Sequence, residues 1–131
     1  MAQPDTTWSK NPSGIRRLAG AWRASIHGLR AVWQHESGFR QEVAACMGLV
    51  PLALWLPVSP IERLLLIASL LLVLIVEILN SAVEAAVDRI GLEHHELSGR
   101  AKDLGSAAVL LSLMLTALTW GTVLWTWWVR G

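Results

Sequence analysis

Two long stretches without a single charge, residues 64–76 and 104–129, decide what this chain of 131 residues can fold into. The second alone exceeds the roughly 20 apolar residues that cross a hydrocarbon core about 30 Å thick, and the first becomes a span when its helix is continued over 61–87. Backbone at that depth finds no water, so it has to satisfy its own hydrogen bonds as a helix. Hydrophobic residues make up 53% of the chain and charged residues 16%, a balance unlike that of a small soluble protein.

A third segment, about 41–58, carries Pro51 and is expected to span with a kink, because proline removes a backbone donor and crowds the preceding turn. Lys10, Arg16, Arg17, Arg23, Arg30 and Arg40 precede that segment, and Arg89, Arg100 and Lys102 lie between the second and third spans. Only Arg63 and Arg130 remain for the other side. The bias toward basic residues inside therefore places the amino terminus in the cytoplasm and the carboxyl terminus outside. Trp55, Trp120, Trp125, Trp127 and Trp128 cluster near span ends, where indole rings settle at headgroup level. Cys46 falls within a span and offers no disulfide framework.

Residues 1–14 are polar, aperiodic and contain two prolines, which predicts a mobile tail, and no cleavable signal peptide is visible. From there Ile15, Leu18, Trp22, Ile26, Leu29 and Trp33 step by three or four, with Arg16, Arg23, His27, Arg30 and Gln34 largely off that line. This predicts a basic amphipathic helix over about 15–38, lying in the membrane surface with its cations near anionic headgroups. The domain organisation is thus a tail and one membrane domain over 15–131, with spans at about 41–58, 61–87 and 104–128.

Within the second span, Glu77, Asn80, Glu84 and Asp88 fall on one stripe about 80° wide, with Ser81 beside them. An acidic residue at the centre of a bilayer helix costs roughly 2.5–3.5 kcal/mol, so a carboxylate stripe needs partners or a task. Glu77 and Glu84 are about 10.5 Å apart along the axis, too far to hold one ion side by side. Two roles fit better: Glu84, with Glu36 approaching from the surface helix, to hold a Mg²⁺ ion carried by a nucleotide, and the deeper Glu77 to meet a lipid hydroxyl as a base. Asn80 lies between them as a neutral donor and acceptor.

The polar segment 88–103, expected as a cytoplasmic loop, supplies the rest. Arg100 and Lys102 can neutralise phosphate, Gly99 permits close backbone approach, and Glu93, His94, His95 and Glu96 can bond a base or ribose. A metal, cations and a positioned nucleophile are what phosphoryl transfer requires. The His94–His95 pair lacks the spacing of a zinc site, and neither a Walker-type phosphate loop nor a protein-kinase motif is present. The stripe also admits a reading as a proton or cation path in a small oligomeric transporter, which leaves the polar segment unexplained.

Residues 76–82 (VEILNSA), Glu84-Ala85, residues 87–91 (VDRIG), 95–103 (HELSGRAKD) and 105–109 (GSAAV), preceded by Gly28-Leu29-Arg30-Ala31, Trp33, Glu36 and residues 39–42 (FRQE), closely resemble the prokaryotic diacylglycerol kinase family. The resemblance covers about residues 15–126. It implies an all-α membrane protein, a surface helix and three transmembrane helices per subunit, assembled as a homotrimer with active sites shared between chains. It further implies an enzyme of the bacterial inner membrane that transfers the γ-phosphoryl of MgATP to diacylglycerol, giving phosphatidic acid, with no nucleic-acid partner expected. By motif position Glu77 corresponds to the catalytic base, Asn80 to a polar residue of the site, and Glu36 and Glu84 to metal ligands. Arg17, Glu93, His95, Lys102 and Asp103 match nucleotide-binding positions, to which His94 is joined as a neighbour, and Arg30, Arg63, Glu77 and Ser106 match lipid-site positions. Ala24 and His27 depart from the aromatic residue and lysine that relatives often carry. A sister branch with a similar core, undecaprenol kinase, differs in its acceptor, and no motif in the sequence separates the two.

Overall fold

The computed structural model describes residues 14–131, so the tail expected over 1–14 lies, except for Gly14, outside the described residues. Four helices follow one another: α1 (Gly14–His35), α2 (Ser37–Trp55), α3 (Pro60–Ile90) and α4 (Glu96–Arg130). α1 belongs to one unit, and Glu36 with α2, α3 and α4 forms a second.

In α1 the large residues of the expected stripe, Ile15, Leu18, Trp22, Leu29 and Trp33, all remain exposed. The helix stops three residues short of the expected 38, because Glu36 turns to an extended conformation (φ −117°, ψ 106°) and a new helix starts at Ser37. α2 runs unbroken through Pro51. The missing amide removes one rung of the ladder without ending the helix.

α3 opens on a capping box: the Ser59 hydroxyl accepts from the Glu62 amide and the Glu62 carboxylate accepts from the Ser59 amide, both at 3.1 Å, with Pro60 in the first turn. The preceding turn is closed by Arg63. Its Nε donates to the Ala53 carbonyl at 3.1 Å and its Nη2 to the Leu56 carbonyl at 3.0 Å. The Ala53 carbonyl would otherwise look for the amide of residue 57, which is a proline and has none. A guanidinium thus finishes α2 where the sequence withholds a backbone donor.

Both α2 and α4 pack on α3. The core is one cluster of Ala53 and Leu56 from the end of α2, Leu66 and Leu70 from α3, and Trp120 and Val123 from α4. Two hydrogen bonds cross from α4 to α3: the Trp120 indole N–H donates to the Leu66 carbonyl at 3.3 Å and the Thr116 hydroxyl to the Ser69 carbonyl at 3.1 Å. Inter-helix bonds of this kind in a membrane contribute about 0.6 kcal/mol on average. At the same end as the capping box, Arg130 Nη1 lies 3.2 Å from Glu62 Oε1, which ties the close of α4 to the start of α3.

Among the described residues two helices, α3 with 31 residues and α4 with 35, are long and apolar enough to cross a membrane. At 1.5 Å per residue α3 measures about 46 Å, longer than a hydrocarbon core by some ten residues. The overhang matters at the α3–α4 turn. The polar segment 88–103 is not one loop: α3 continues to Ile90, α4 begins at Glu96, and only the stretch between them is non-helical. Charged residues there extend two helices beyond the apolar zone.

Candidate active site

The stripe on α3 is intact, with Glu77, Asn80, Ser81 and Glu84 half-buried and Asp88 exposed beyond them. Its first partner comes from the junction ahead of α2. Glu36 occupies the N-cap position of α2 without using its side chain as a cap, and its Oε1 instead accepts a hydrogen bond from the Ser81 hydroxyl at 3.1 Å. Ser81 lies one turn from both Glu77 and Glu84, so this bond sets the Glu36 carboxylate beside the middle of the stripe.

The opening turn of α2 closes over Glu77. A Cβ built on Gly38 would stand 3.9 Å and 4.0 Å from the two Glu77 carboxylate oxygens, so the carboxylate sits near the amide end of α2, where unpaired N–H groups and the helix dipole favour negative charge. One turn further along, the Glu42 carboxyl lies beside that of Glu77, and Glu42 Oε2 is buried with no partner. Sequence reasoning quoted Glu42 within a motif but gave it no role. Its clue was depth: residue 42 in an α2 antiparallel to α3 reaches the level of residue 77.

Asn80 is held from the other side. A Cβ at Gly105 of α4 would collide with Asn80 Oδ1 and stand 3.2 Å from its Cγ, so the absence of a side chain at 105 makes room for the amide. Asn80 Oδ1 is buried without a hydrogen-bond partner. A polar atom left in that state is unusual.

Toward the α3–α4 turn the stripe leads into a cleft of about 240 Å³, lined by Asp88, Glu93, His94, His95, Gly99 and Lys102 among others. Lys102, which precedes the apolar stretch of α4 beginning at 104, places Nζ 2.8 Å from Asp88 Oδ1. That hydrogen bond, and the Asp88 charge behind it, holds the ammonium above the usual lysine range. The lysine side of the pair is therefore fully formed below the ordinary lysine pKa and is lost only as pH rises through the raised value. His95 has a structural task as well, since its Nδ1 accepts from the Leu97 amide at 3.1 Å and caps α4. Arg100 lies 3.4 Å from Glu96 one turn away, both well exposed.

Other residues marked out by the sequence fall elsewhere. Arg63 is engaged in finishing α2 at the opposite end of α3 from the cleft. Ser106 and Asp103 lie exposed on α4, Ser106 next to Gly105. Arg17 and Arg30 are exposed on α1, in the other unit.

The fit of a metal rests on Glu36 and Glu84. Among the described residues no three His, Cys, Asp or Glu side chains gather into a cage. Glu36 is bonded to Ser81, one turn from Glu84, and one or two carboxylates are the usual protein share for a Mg²⁺ whose shell phosphate oxygens and water complete.

Residues 23–124 match the family profile described as prokaryotic diacylglycerol kinase. A relative named diacylglycerol kinase from Escherichia coli strain K12 is 54% identical over 118 residues, which cover 90% of this chain and 97% of the relative. One from Pseudomonas aeruginosa is 48% identical over 115 residues, covering 88% and 94%. One from Helicobacter pylori strain 26695 is 41% identical over 111 residues, covering 85% and 87%.

Proposed function

Since this chain belongs to the prokaryotic diacylglycerol kinase family, we propose that it phosphorylates diacylglycerol to phosphatidic acid with MgATP, using Glu77 as the general base. The observation that carries the assignment of roles is the convergence of Glu36, Glu42 and Glu77 around one stripe of α3 that continues into the lysine-bearing cleft.

In this reading the acceptor hydroxyl reaches Glu77 and gives up its proton as its oxygen attacks the γ-phosphorus. The bond from that phosphorus to the bridging oxygen breaks, and ADP leaves. Asn80 orients the hydroxyl or a phosphate oxygen through its side-chain amide. Lys102, Arg100, Glu93, His94, His95 and Asp103 hold the nucleotide from the cleft and its rim. His95 would use Nε2, because Nδ1 is occupied by its cap. Glu36 and Glu84 would hold Mg²⁺, which when bound neutralises charge on the transferring phosphoryl group. Arg30 and Ser106 are assigned to the lipid side, and Arg63 acts there through the shape it gives the α2–α3 turn.

The same reading makes α2 a third span and places the protein in the bacterial inner membrane with its amino terminus in the cytoplasm. It also places three copies together, so that neighbouring subunits complete a stripe that one chain leaves half-exposed.

The deciding experiment offers diacylglycerol and undecaprenol separately to the purified protein with MgATP in mixed micelles. Faster labelling of diacylglycerol is expected, whereas faster labelling of undecaprenol would transfer the chain to the polyprenol branch. Glu84→Gln is expected to shift the Mg²⁺ dependence of turnover to at least about tenfold higher concentration, a loss typical of removing one charged oxygen ligand. An unchanged Mg²⁺ titration would remove Glu84 from the metal site.

A further inference from the structure

Asp88 is the one carboxylate of the stripe to which the kinase reading gives no task. It lies near the end of α3 and lines the cleft together with Lys102, which reaches it from the opening turns of α4. Among the described residues, ion pairs join α3 to α4 at two places, here and at Glu62–Arg130 near the other end.

The side chains of Lys102 and Asp88 are 43% and 49% exposed. A pair so open to water adds little to the cohesion of two helices already held by a buried core. Its effect falls on the lysine. An ammonium on a four-carbon stem samples many rotamers when unpaired, and it serves phosphate as a point charge, so its position is what a polyphosphate site needs from it. The 2.8 Å contact uses one of three N–H donors and leaves two. Glu84, one turn back on the same stripe, adds its field to the same ammonium.

We infer that Asp88 is a positioning residue for the nucleotide: it holds Lys102 at the wall of the cleft before ATP arrives, so that the ammonium meets the polyphosphate already in place. This rests on the assignment of Lys102 to the nucleotide in the proposed function. Asp88 itself touches no reacting atom and should leave the chemical step alone.

The test measures kcat, the KM for MgATP, the KM for lipid and direct nucleotide affinity in Asp88→Asn, Asp88→Glu, Lys102→Ala and the Asp88→Asn/Lys102→Ala double variant. Asp88→Asn is expected to raise the KM and Kd for MgATP about fivefold, the scale of ordering one long side chain on binding. kcat and the lipid KM should stay within about twofold, and Asp88→Glu should recover most of the loss. Lys102→Ala should weaken nucleotide binding further, and adding Asp88→Asn to it should change nothing more. Unchanged or tighter nucleotide binding in Asp88→Asn, or a double variant in which the two losses add, would overturn the role of Asp88 while leaving Lys102 as a nucleotide contact. Unchanged binding in Lys102→Ala would instead overturn the assignment of Lys102, and the inference with it.

Discussion

Replacing Glu77 with glutamine is expected to lower kcat by roughly three orders of magnitude, within the range that a positioned general base contributes, while affinity for MgATP stays within about twofold. The substitution keeps shape and hydrogen bonding but removes the proton acceptor. Gly38 and Glu42 meet the Glu77 side chain from α2, and glutamine has nearly the same volume as the glutamate it replaces. The split between turnover and nucleotide binding is the informative part, because a collapsed site would lose both. Turnover of Glu77→Gln near the wild-type level, measured with saturating lipid, would remove Glu77 as the base.

The second large effect comes from a residue with no side chain. Gly105→Ala drives a methyl group into the Asn80 amide, and overpacking of this kind costs typically about 1–3 kcal/mol. The clash falls on the end of the Asn80 side chain, which has to turn aside from its place on the stripe, so turnover is expected to fall at least about tenfold as well. Chemical unfolding in mixed micelles and turnover should be followed together in Gly105→Ala and in Gly105→Ala/Asn80→Ala. The double variant should regain stability and not activity. Wild-type stability in the single variant would mean that the Asn80 side chain turns aside at this crossing without cost.

The sequence displayed what depends on local pattern. Charge-free runs announced the long helices α3 and α4, and the three-to-four spacing from Ile15 to Trp33 announced α1. The stripe from Glu77 to Asp88 was visible because all its members share one helix. Partners from other helices were harder to see. Glu42 reaches Glu77 only after α2 folds back along α3, and Gly105 became meaningful only once α4 had crossed Asn80. Arg63 could be suspected from Pro57, which deprives Ala53 of an acceptor's partner, but the turn had to be formed before a guanidinium could fill that gap. The charge density of segment 88–103 imitates a loop. In fact a His95 cap starts α4 early, and its first two turns stand outside the apolar zone where charge is welcome.

α3 carries neither proline nor glycine after its first residue. Glu77 and Asp88 are therefore separated by a fixed rise of about 16 Å on a single rod, and no loop can adjust that spacing. In the proposed reaction the height at which an acceptor hydroxyl meets Glu77 is set by α3, whereas the height at which it floats is set by the bilayer. A thinner or thicker membrane moves one and not the other. With Glu77 as the proposed base, an acceptor is then expected to be selected by how deep its hydroxyl rides as well as by its shape.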